Sequence, residues 1–230
     1  MLNINTIIHK EQQAINNFFN TKTIKIPNLP SWINSELIQH WHSLIFHLHY
    51  LPLWKSKPDK YFYQKTEQSN LPARAKQLPG KWILIDARDK PKKQNIWINS
   101  KDPWVWFLQK VGFNLKKYFN KRNKQIHCQE YLSGSRFCLS IHDIEKLKPF
   151  ILDLLKIKNK TIRLPYFIEY NYLGNNFYTQ WAKTKTWEWL EDKLNNGQHA
   201  ASGCRNLGSV GWDPPDYWST ILCFRPVVEL

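Results

Sequence analysis

Apolar side chains recur at helical spacing in three stretches of the chain. Across residues 31–50 six apolar residues fall within roughly 120° of arc at about 100° per residue, which predicts one amphipathic helix. They are Leu37, Ile38, Trp41, Leu44, Ile45 and Leu48. A second helix is predicted to begin at Asp102-Pro103, because aspartate caps a first turn and proline fits the first helical position. A third begins at Ser140 with Asp143 in a capping-box arrangement, and Pro149 is expected to kink or split it.

A continuous apolar run predicts one buried strand. The residues Lys81-Trp82-Ile83-Leu84-Ile85 carry this pattern, and the polar residues 86–93 close it with a turn. Residues 1–30 are polar, and Pro27 and Pro30 separate them from the first predicted helix.

Four histidines lie within the first predicted helix. On a helix, His40 and His47 border one side of the apolar stripe, while His42 and His49 border the other. Each pair is then about 10 Å apart along the helix axis, which is too far for one metal ion. The sequence therefore predicts histidines flanking a packed stripe, and no metal site.

The formal net charge of +15 is concentrated in residues 61–130. Clustered lysine and arginine is the footprint of nucleic-acid binding, so a nucleic-acid contact is one hypothesis. A solvated helix face is the simpler interpretation, because cations near a helix C-terminus also suit the helix dipole. The basic residues concerned are Lys110, Lys116, Lys117, Lys121, Arg122 and Lys124.

The four cysteines, Cys128, Cys138, Cys204 and Cys223, fit no zinc-binding template. A disulfide between Cys204 and Cys223 is one alternative, but so few cysteines favour reduced thiols in an intracellular chain. The sequence contains neither a signal-peptide pattern nor an apolar run of membrane-spanning length. We therefore expect a soluble protein, cytoplasmic unless it decorates a cell or virus surface.

Three short segments follow one another in the last third of the chain. They are Ile162-Arg163-Leu164-Pro165 with Glu169-Tyr170 behind it, Thr186-Trp187-Glu188-Trp189, and Cys223-Phe224-Arg225-Pro226. In this order and spacing they resemble the C-type-lectin-fold domains of the formylglycine-generating-enzyme (sulfatase-modifying factor) type. The resemblance covers about residues 80–230.

This resemblance implies an α+β protein. A C-type-lectin-like domain is expected over residues 61–230, preceded by an N-terminal helical segment over residues 1–60. Arg163 and Glu169 are expected to form structural hydrogen bonds or an ion pair, and Arg225 to bond inward from the closing strand. The expected scaffold residues are Arg163, Leu164, Pro165, Glu169, Trp187, Trp189, Phe224 and Arg225.

Enzyme members of this family bind copper through a pair of cysteines. Here only Cys204 and Cys223 are candidates, and Cys223 stands where the family usually has glycine. A buried free cysteine usually behaves as a small hydrophobic residue. An oxidase is therefore an alternative, and we expect neither enzyme activity nor a cofactor.

Residues 199–228 contain no Lys, Glu, Gln or Met, although Lys, Glu and Gln are frequent elsewhere in the chain. Variable proteins of diversity-generating retroelements resemble the same family and carry hypervariable residues just ahead of the terminal Phe-Arg strand. Adenine randomisation of Asn-type codons cannot yield those four residues, nor can it yield Trp. Trp212 and Trp218 would then be fixed scaffold positions or come from other codons. The alternative is an ordinary loop-rich tip of a lectin fold.

We therefore predict a ligand-binding protein whose binding surface lies between Arg205 and Leu222 and whose partner is a protein or surface ligand. Small and aromatic residues favour such a role, as they do in antibody binding sites. The candidate residues are Arg205, Asn206, Ser209, Trp212, Asp213, Asp216, Tyr217, Trp218, Ser219, Thr220 and Leu222.

Overall fold

Two four-stranded sheets and four helices organise the described part of the chain. The structure is a computed structural model, and it describes residues 3–55, 72, 77–89, 139–217, 219 and 221–230. The α+β class expected from the sequence is confirmed. No helix in these ranges is both long enough and apolar enough to cross a membrane.

Three of the four helices begin at polar caps. Asn3 and Asn34 accept hydrogen bonds from the first turns of the first two helices, and Ser140 with Asp143 forms the predicted capping box of the third. The third helix is continuous through Pro149, so the predicted split is wrong. The helices are α1 (Ile4–Phe19), α2 (Ser35–Ser43), α3 (Ile141–Leu154) and α4 (Phe167–Asn176), with a 3-10 turn at Thr179–Lys183.

The strands form one sheet in the order β1-β2-β8-β3 and a second in the order β6-β5-β4-β7. The pairs in the first sheet are antiparallel, and β4 pairs with β7 in parallel. The strands are β1 (Phe46–Trp54), β2 (Leu78–Asp86), β3 (Ile162–Arg163), β4 (Trp187–Lys193), β5 (His199–Ser202), β6 (Val210–Asp213), β7 (Leu222–Cys223) and β8 (Val227–Glu229).

The predicted helix over residues 31–50 is wrong in its second half. Helix α2 ends at Ser43, and Ile45 has a φ of 59°, a left-handed conformation that a helix cannot continue through. The chain then becomes strand β1, which pairs with β2 in register from Phe46 opposite Asp86 onward. The predicted buried strand at residues 81–85 is confirmed as part of β2.

Strand β1 lies within the first 60 residues and yet belongs to the same sheet as the C-terminal strand β8. The N-terminal part therefore contributes two helices and a strand. The division at residue 60 and the helix predicted at Asp102 lie outside the described residues, and both stay predictions.

Two buried tryptophans hydrogen-bond to the ends of α3 and so connect it to α2 and β4. The Trp41 Nε1–H donates to the carbonyl oxygen of Leu155 at 2.8 Å, which ties α2 to the end of α3. The Trp189 Nε1–H donates to the carbonyl oxygen of Leu139 at 2.9 Å, which ties β4 to the start of α3. Both indoles satisfy their only donor, so they pack inside without an unpaired polar group.

Candidate functional site

Arg163 and Glu169 form a buried two-point ion pair. Two guanidinium nitrogens of Arg163 donate to the two carboxylate oxygens of Glu169 at 2.6 and 2.8 Å. The Arg163 Nε–H also donates to Glu229 at 2.7 Å, so the pair reaches from β3 to β8. The expected ion pair is confirmed.

Arg225 is bonded inward, as expected. Its guanidinium donates to both oxygens of Glu188 at 2.8 and 2.9 Å, and both side chains are 0% exposed. It also donates to the main-chain carbonyls of Asp86 and Arg88, and it lies over the Trp181 ring at 3.8 Å from the ring centre. The second and third motif segments therefore meet in one buried charge network.

Two acidic residues of β4 bind the first motif segment, and neither was predicted. Glu191 accepts from the Leu164 N–H at 3.1 Å, and Asp192 accepts from the Phe167 N–H at 2.6 Å. Asp192 is buried, and its second oxygen has no partner among the described residues. Burial, opposed by the hydrogen bond from Phe167 and reinforced by the charge of Glu169, raises the pKa of Asp192 to about 7.

Of the remaining scaffold residues, all but Trp187 are buried, and Trp187 lies at the rim. Leu164, Pro165, Trp189 and Phe224 are all buried, whereas Trp187 is half-buried on β4. The scaffold residues of the three motif segments are therefore mostly buried, and they form the framework that supports the residues before β7.

The predicted binding residues divide into exposed, half-buried and buried groups. Arg205, Asp216 and Tyr217 are exposed, and 43% of Tyr217 is open to solvent. Ser209 and Leu222 are buried, so their expected solvent exposure is wrong. The half-buried residues are Asn206, Trp212, Asp213 and Ser219, while Trp218 and Thr220 lie outside the described residues.

Ser209 and Leu222 are buried because they join the segment to the second sheet. The Ser202 hydroxyl lies 2.6 Å from the carbonyl oxygen of Ser209, and Leu222 in β7 is opposite Trp187 in β4. Because the side chains of Ser209 and Leu222 are buried, they are not available to a ligand. We define the C-terminal face as the remaining described candidates: Arg205, Asn206, Trp212, Asp213, Asp216, Tyr217 and Ser219.

Hydrogen bonds and packing contacts hold the segment that carries the C-terminal face, at points between its exposed side chains. The Arg205 N–H donates to the Thr184 carbonyl at 2.8 Å, and the Ile141 N–H donates to the Pro215 carbonyl at 3.0 Å. The buried Leu207 packs against Gly174 of α4 so closely that a Cβ on Gly174 would lie 2.7 Å from both Leu207 methyl carbons. The backbone of this segment is therefore attached to α3, α4 and the second sheet.

Cys204 and Cys223 do not form a disulfide with each other, so the disulfide alternative is wrong. Cys223 is buried, and its sulfur donates to the Trp187 carbonyl oxygen at 3.2 Å. This thiol fills space in the core, as an unreactive buried cysteine does. Cys128 and Cys138 lie outside the described residues, as do the basic candidates Lys110, Lys116, Lys117, Lys121, Arg122 and Lys124.

A second polar cluster was missed by the sequence analysis. His49 Nδ1 lies 2.9 Å from a carboxylate oxygen of Glu11 in α1, and His49 Nε2 lies 2.7 Å from the Tyr178 hydroxyl. His47 Nδ1 lies 2.9 Å from the same hydroxyl. The alternation Phe46-His47-Leu48-His49-Tyr50 was the available signal, since it has the two-residue period of a strand.

This cluster borders a cavity of about 310 Å³ between α1, α2 and β1, which we call the histidine pocket. The ring of His42 stacks on that of His47 at 4.7 Å. Burial, with the neighbouring His49 and His42, lowers the pKa of His47 to about 4. Within the described residues, no three histidine, cysteine or acidic side chains are grouped to hold a metal ion.

Comparison with known protein families, with curated proteins and with solved structures finds no match for this chain.

Proposed function

We propose that this chain is a ligand-binding protein that presents the C-terminal face from a C-type-lectin-like fold of the formylglycine-generating-enzyme type. The observation that carries the proposal is the difference between the backbone and the side chains of the segment between Arg205 and Leu222. Its backbone is attached to buried elements at Thr184, Ile141 and Ser202, while Arg205, Asp216 and Tyr217 are exposed. Side chains at the exposed positions can change without disturbing the framework.

Support for the fold comes from the meeting of the three motif segments. Glu188 of the second segment pairs with Arg225 of the third, and Glu191 just beyond the second binds the first at Leu164. Arg163 of the first segment lies opposite Val227, directly after the third. Segments far apart in sequence thus form one scaffold, as the resemblance implies.

Support for binding comes from the residues on the C-terminal face. Tyr217 and Trp212 offer large, rigid contact area with few rotatable bonds, and such residues are favoured in binding surfaces. Asn206, Asp213 and Ser219 supply small hydrogen-bonding groups beside them. The combination suits a protein or surface ligand.

Diversification of this face accounts for the absence of Lys, Glu, Gln and Met from residues 199–228. It is tested in the DNA around the gene. A near-copy of the 3′ end of the gene that differs at adenines, next to a reverse transcriptase gene, is the expected finding. If the DNA around the gene contains no such copy, diversification is rejected. Binding by the C-terminal face is then tested separately.

Binding is tested with two libraries of the full chain. In the first, exposed and half-buried positions of the C-terminal face are randomised and variants are selected against several unrelated proteins. In the control library, an equal number of exposed positions on α1 is randomised. The first positions are Arg205, Asn206, Asp213, Asp216 and Tyr217; the control positions are Asn5, Thr6, His9, Gln13 and Asn17.

We expect the first library to yield specific binders whose melting temperatures stay within a few degrees of the parent protein. The control library should yield fewer binders, because a single helix face offers less varied backbone geometry. Equal yields from the two libraries, or selected variants that no longer fold, would contradict the proposal.

A further inference from the structure

Strand β6 is an end strand of the second sheet, and its outer edge is open. The strand pairs with β5 alone, from Val210 opposite Ser202 to Asp213 opposite His199. In an antiparallel pair the N–H and C=O groups of alternate residues point away from the partner strand. Within the described part of the chain, no further hydrogen bond reaches residues 210–213. Alternate residues of β6 therefore offer unpaired donors and acceptors along this edge.

The other end strands are closed, which sets β6 apart from them. Glu11 accepts from the Tyr50 N–H of β1 at 3.1 Å, and Pro52 in the same strand has no N–H. Glu191 accepts from the N–H of Leu164, directly after β3, at 3.1 Å. Both residues of β7 are buried. Proteins close sheet edges in such ways because an open edge pairs with other chains.

The open edge of β6 lies within the C-terminal face. Gly211, Trp212 and Asp213 are half-buried, so the edge reaches the surface. The chain after Asp213 leads to β7 at the opposite end of the sheet, and therefore it crosses the sheet instead of following the edge of β6. On this path the Pro215 carbonyl accepts from the Ile141 N–H at the start of α3.

The open groups of β6 specify an extended backbone as their partner. A strand added at a sheet edge lies about 4.8 Å away and pairs through its own alternate N–H and C=O groups. A helix uses these groups internally and cannot offer them in a row. Because β6 has four residues, strand pairing supplies few hydrogen bonds, and side-chain contacts must add to the affinity.

The side chains around the edge favour a basic partner. Residues 206–224 contain two acidic residues, Asp213 and Asp216, and no lysine, arginine or histidine. Within the described residues, the Asp213 carboxylate has neither a hydrogen bond nor an ion pair. Gly211 lies two residues before it on the same face of the strand, where a Cβ would be 3.7 Å from the Trp187 ring. This face therefore combines a free carboxylate with an aromatic ring.

We propose that β6 binds an extended, basic segment of a partner protein as a fifth strand of the second sheet, with a lysine or arginine of that segment paired to Asp213. This inference rests on the proposed function, because it names the ligand class of the C-terminal face. In strand addition the backbone bonds supply affinity, and the neighbouring side chains select the sequence. The backbone contact stays the same when side chains of the face change.

A second copy of the chain is the other occupant that an open edge admits. Two β6 strands paired edge to edge would bring Asp213 and Asp216 of both copies together, with no basic residue of 206–224 to offset them. Like charges in one contact disfavour this pairing. Sedimentation of the full chain should show a monomer. A dimer in which the β6 amides are protected from exchange would overturn the proposal.

The charge of the partner is tested by selecting displayed seven-residue peptides on the full chain. One library has lysine fixed at the central position, and the matched library has glutamate there. We expect the lysine library to give the tighter binders, by at least about tenfold in Kd. Asp213→Asn should weaken the best peptide about threefold to fivefold, whereas Asp153→Asn, at an exposed position of α3, should not. Equal affinities from both libraries, or no binders, would overturn the proposal.

The backbone contact is tested with two N-methylated forms of the selected peptide. One form carries a methyl group on the amide of its third residue and the other on that of its fourth. An added strand turns only alternate N–H groups toward β6, so one form should lose at least about tenfold in affinity. The other should stay within about threefold of the parent peptide. Equal effects of the two methyl groups would overturn strand addition.

Amide hydrogen exchange locates the contact on the protein. Binding should slow exchange at alternate residues of β6, either Val210 and Trp212 or Gly211 and Asp213. A peptide that is weakened by Tyr217→Ala but leaves the β6 amides unchanged would overturn this inference, while the proposed function would stand. A peptide that depends on neither Tyr217 nor β6 would contradict both.

Discussion

Arg225 and Glu188 form a two-point ion pair that joins the residues after β7 to β4, with neither side chain exposed to solvent. The Arg225 guanidinium also donates to two main-chain carbonyls and lies over Trp181. Two desolvated charges are tolerated only when each satisfies the other, so the pair holds the residues after β7 in one position against β4.

Replacing Glu188 by Gln should unfold the protein at markedly lower denaturant. The change leaves the Arg225 charge buried without its partner, which typically costs about 3–5 kcal/mol. The matched control is Glu145→Gln, because Glu145 pairs at 2.6 Å with Lys148 on the surface of α3. That pair should contribute less than about 1 kcal/mol. Urea unfolding curves with similar losses for both variants would contradict a structural role for the buried pair.

Substitutions on the C-terminal face should leave stability nearly unchanged. Asp216→Ala and Tyr217→Ala remove exposed side chains, so each should change the unfolding free energy by less than about 0.5 kcal/mol. Phe224→Ala, in the same region but fully buried, should cost about 3–5 kcal/mol. Thermal melting compares the three. Equal destabilisation by the surface and core changes would show that the segment is part of the core.

Gly174 and Leu207 should show strong coupling between helix α4 and the segment that carries the C-terminal face. Gly174→Ala alone places a Cβ 2.7 Å from both Leu207 methyls, and such overpacking typically costs about 1–3 kcal/mol. In a Leu207→Ala background the clash is gone. The same change should then stabilise the protein by up to about 1 kcal/mol through helix propensity.

A double-mutant cycle measured by urea unfolding tests whether Gly174→Ala changes from destabilising to stabilising when Leu207 is replaced by Ala. Additive effects of Gly174→Ala and Leu207→Ala would mean that the two positions do not compete for the same space.

Asp192 should make stability fall as the pH rises from about 4 to about 7. Its pKa is about 7 in the folded protein, against 3.8 as the reference value for the unfolded chain. Between these values the unfolded chain loses the proton and the folded protein keeps it, so the favourable contribution present below pH 4 is lost as the pH passes 7. Burial is the main cause, followed by the opposing hydrogen bond from Phe167 and the charge of Glu169.

Asp192→Asn cannot ionise and can still accept from the Phe167 N–H. We expect this variant to gain stability relative to the parent between pH 4 and 8, by on the order of 1–4 kcal/mol in total. Asp153→Asn, at an exposed position of α3, is the matched control. Parallel stability curves for the parent and the Asp192 variant would contradict the raised pKa.

Local sequence determined the parts of this protein whose partners lie close along the chain. The capping box of Ser140 and Asp143 joins residues three apart, and the ion pair of Arg163 and Glu169 joins residues six apart. The apolar run at residues 82–85 indicated a buried element, and its shortness identified it as a strand. For the capping box and the ion pair the stabilising contacts are nearly contained in the pattern itself, whereas the strand was recognised by its composition and takes its partners from β1 and β8.

Tertiary structure decided the parts whose partners are distant. Residues 46–50 satisfy both helical and strand spacing. They become a strand because β2 supplies hydrogen-bond partners from residues 78–86 and Ile45 breaks the helix.

The same choice brings His47 and His49 to Tyr178, which is about 130 positions away, and so creates the histidine pocket. The burial of Ser209 and Leu222 likewise follows from sheet partners outside their own segment. A sequence pattern indicates which residues prefer to be buried, but only the assembled sheets determine which of these residues contact one another.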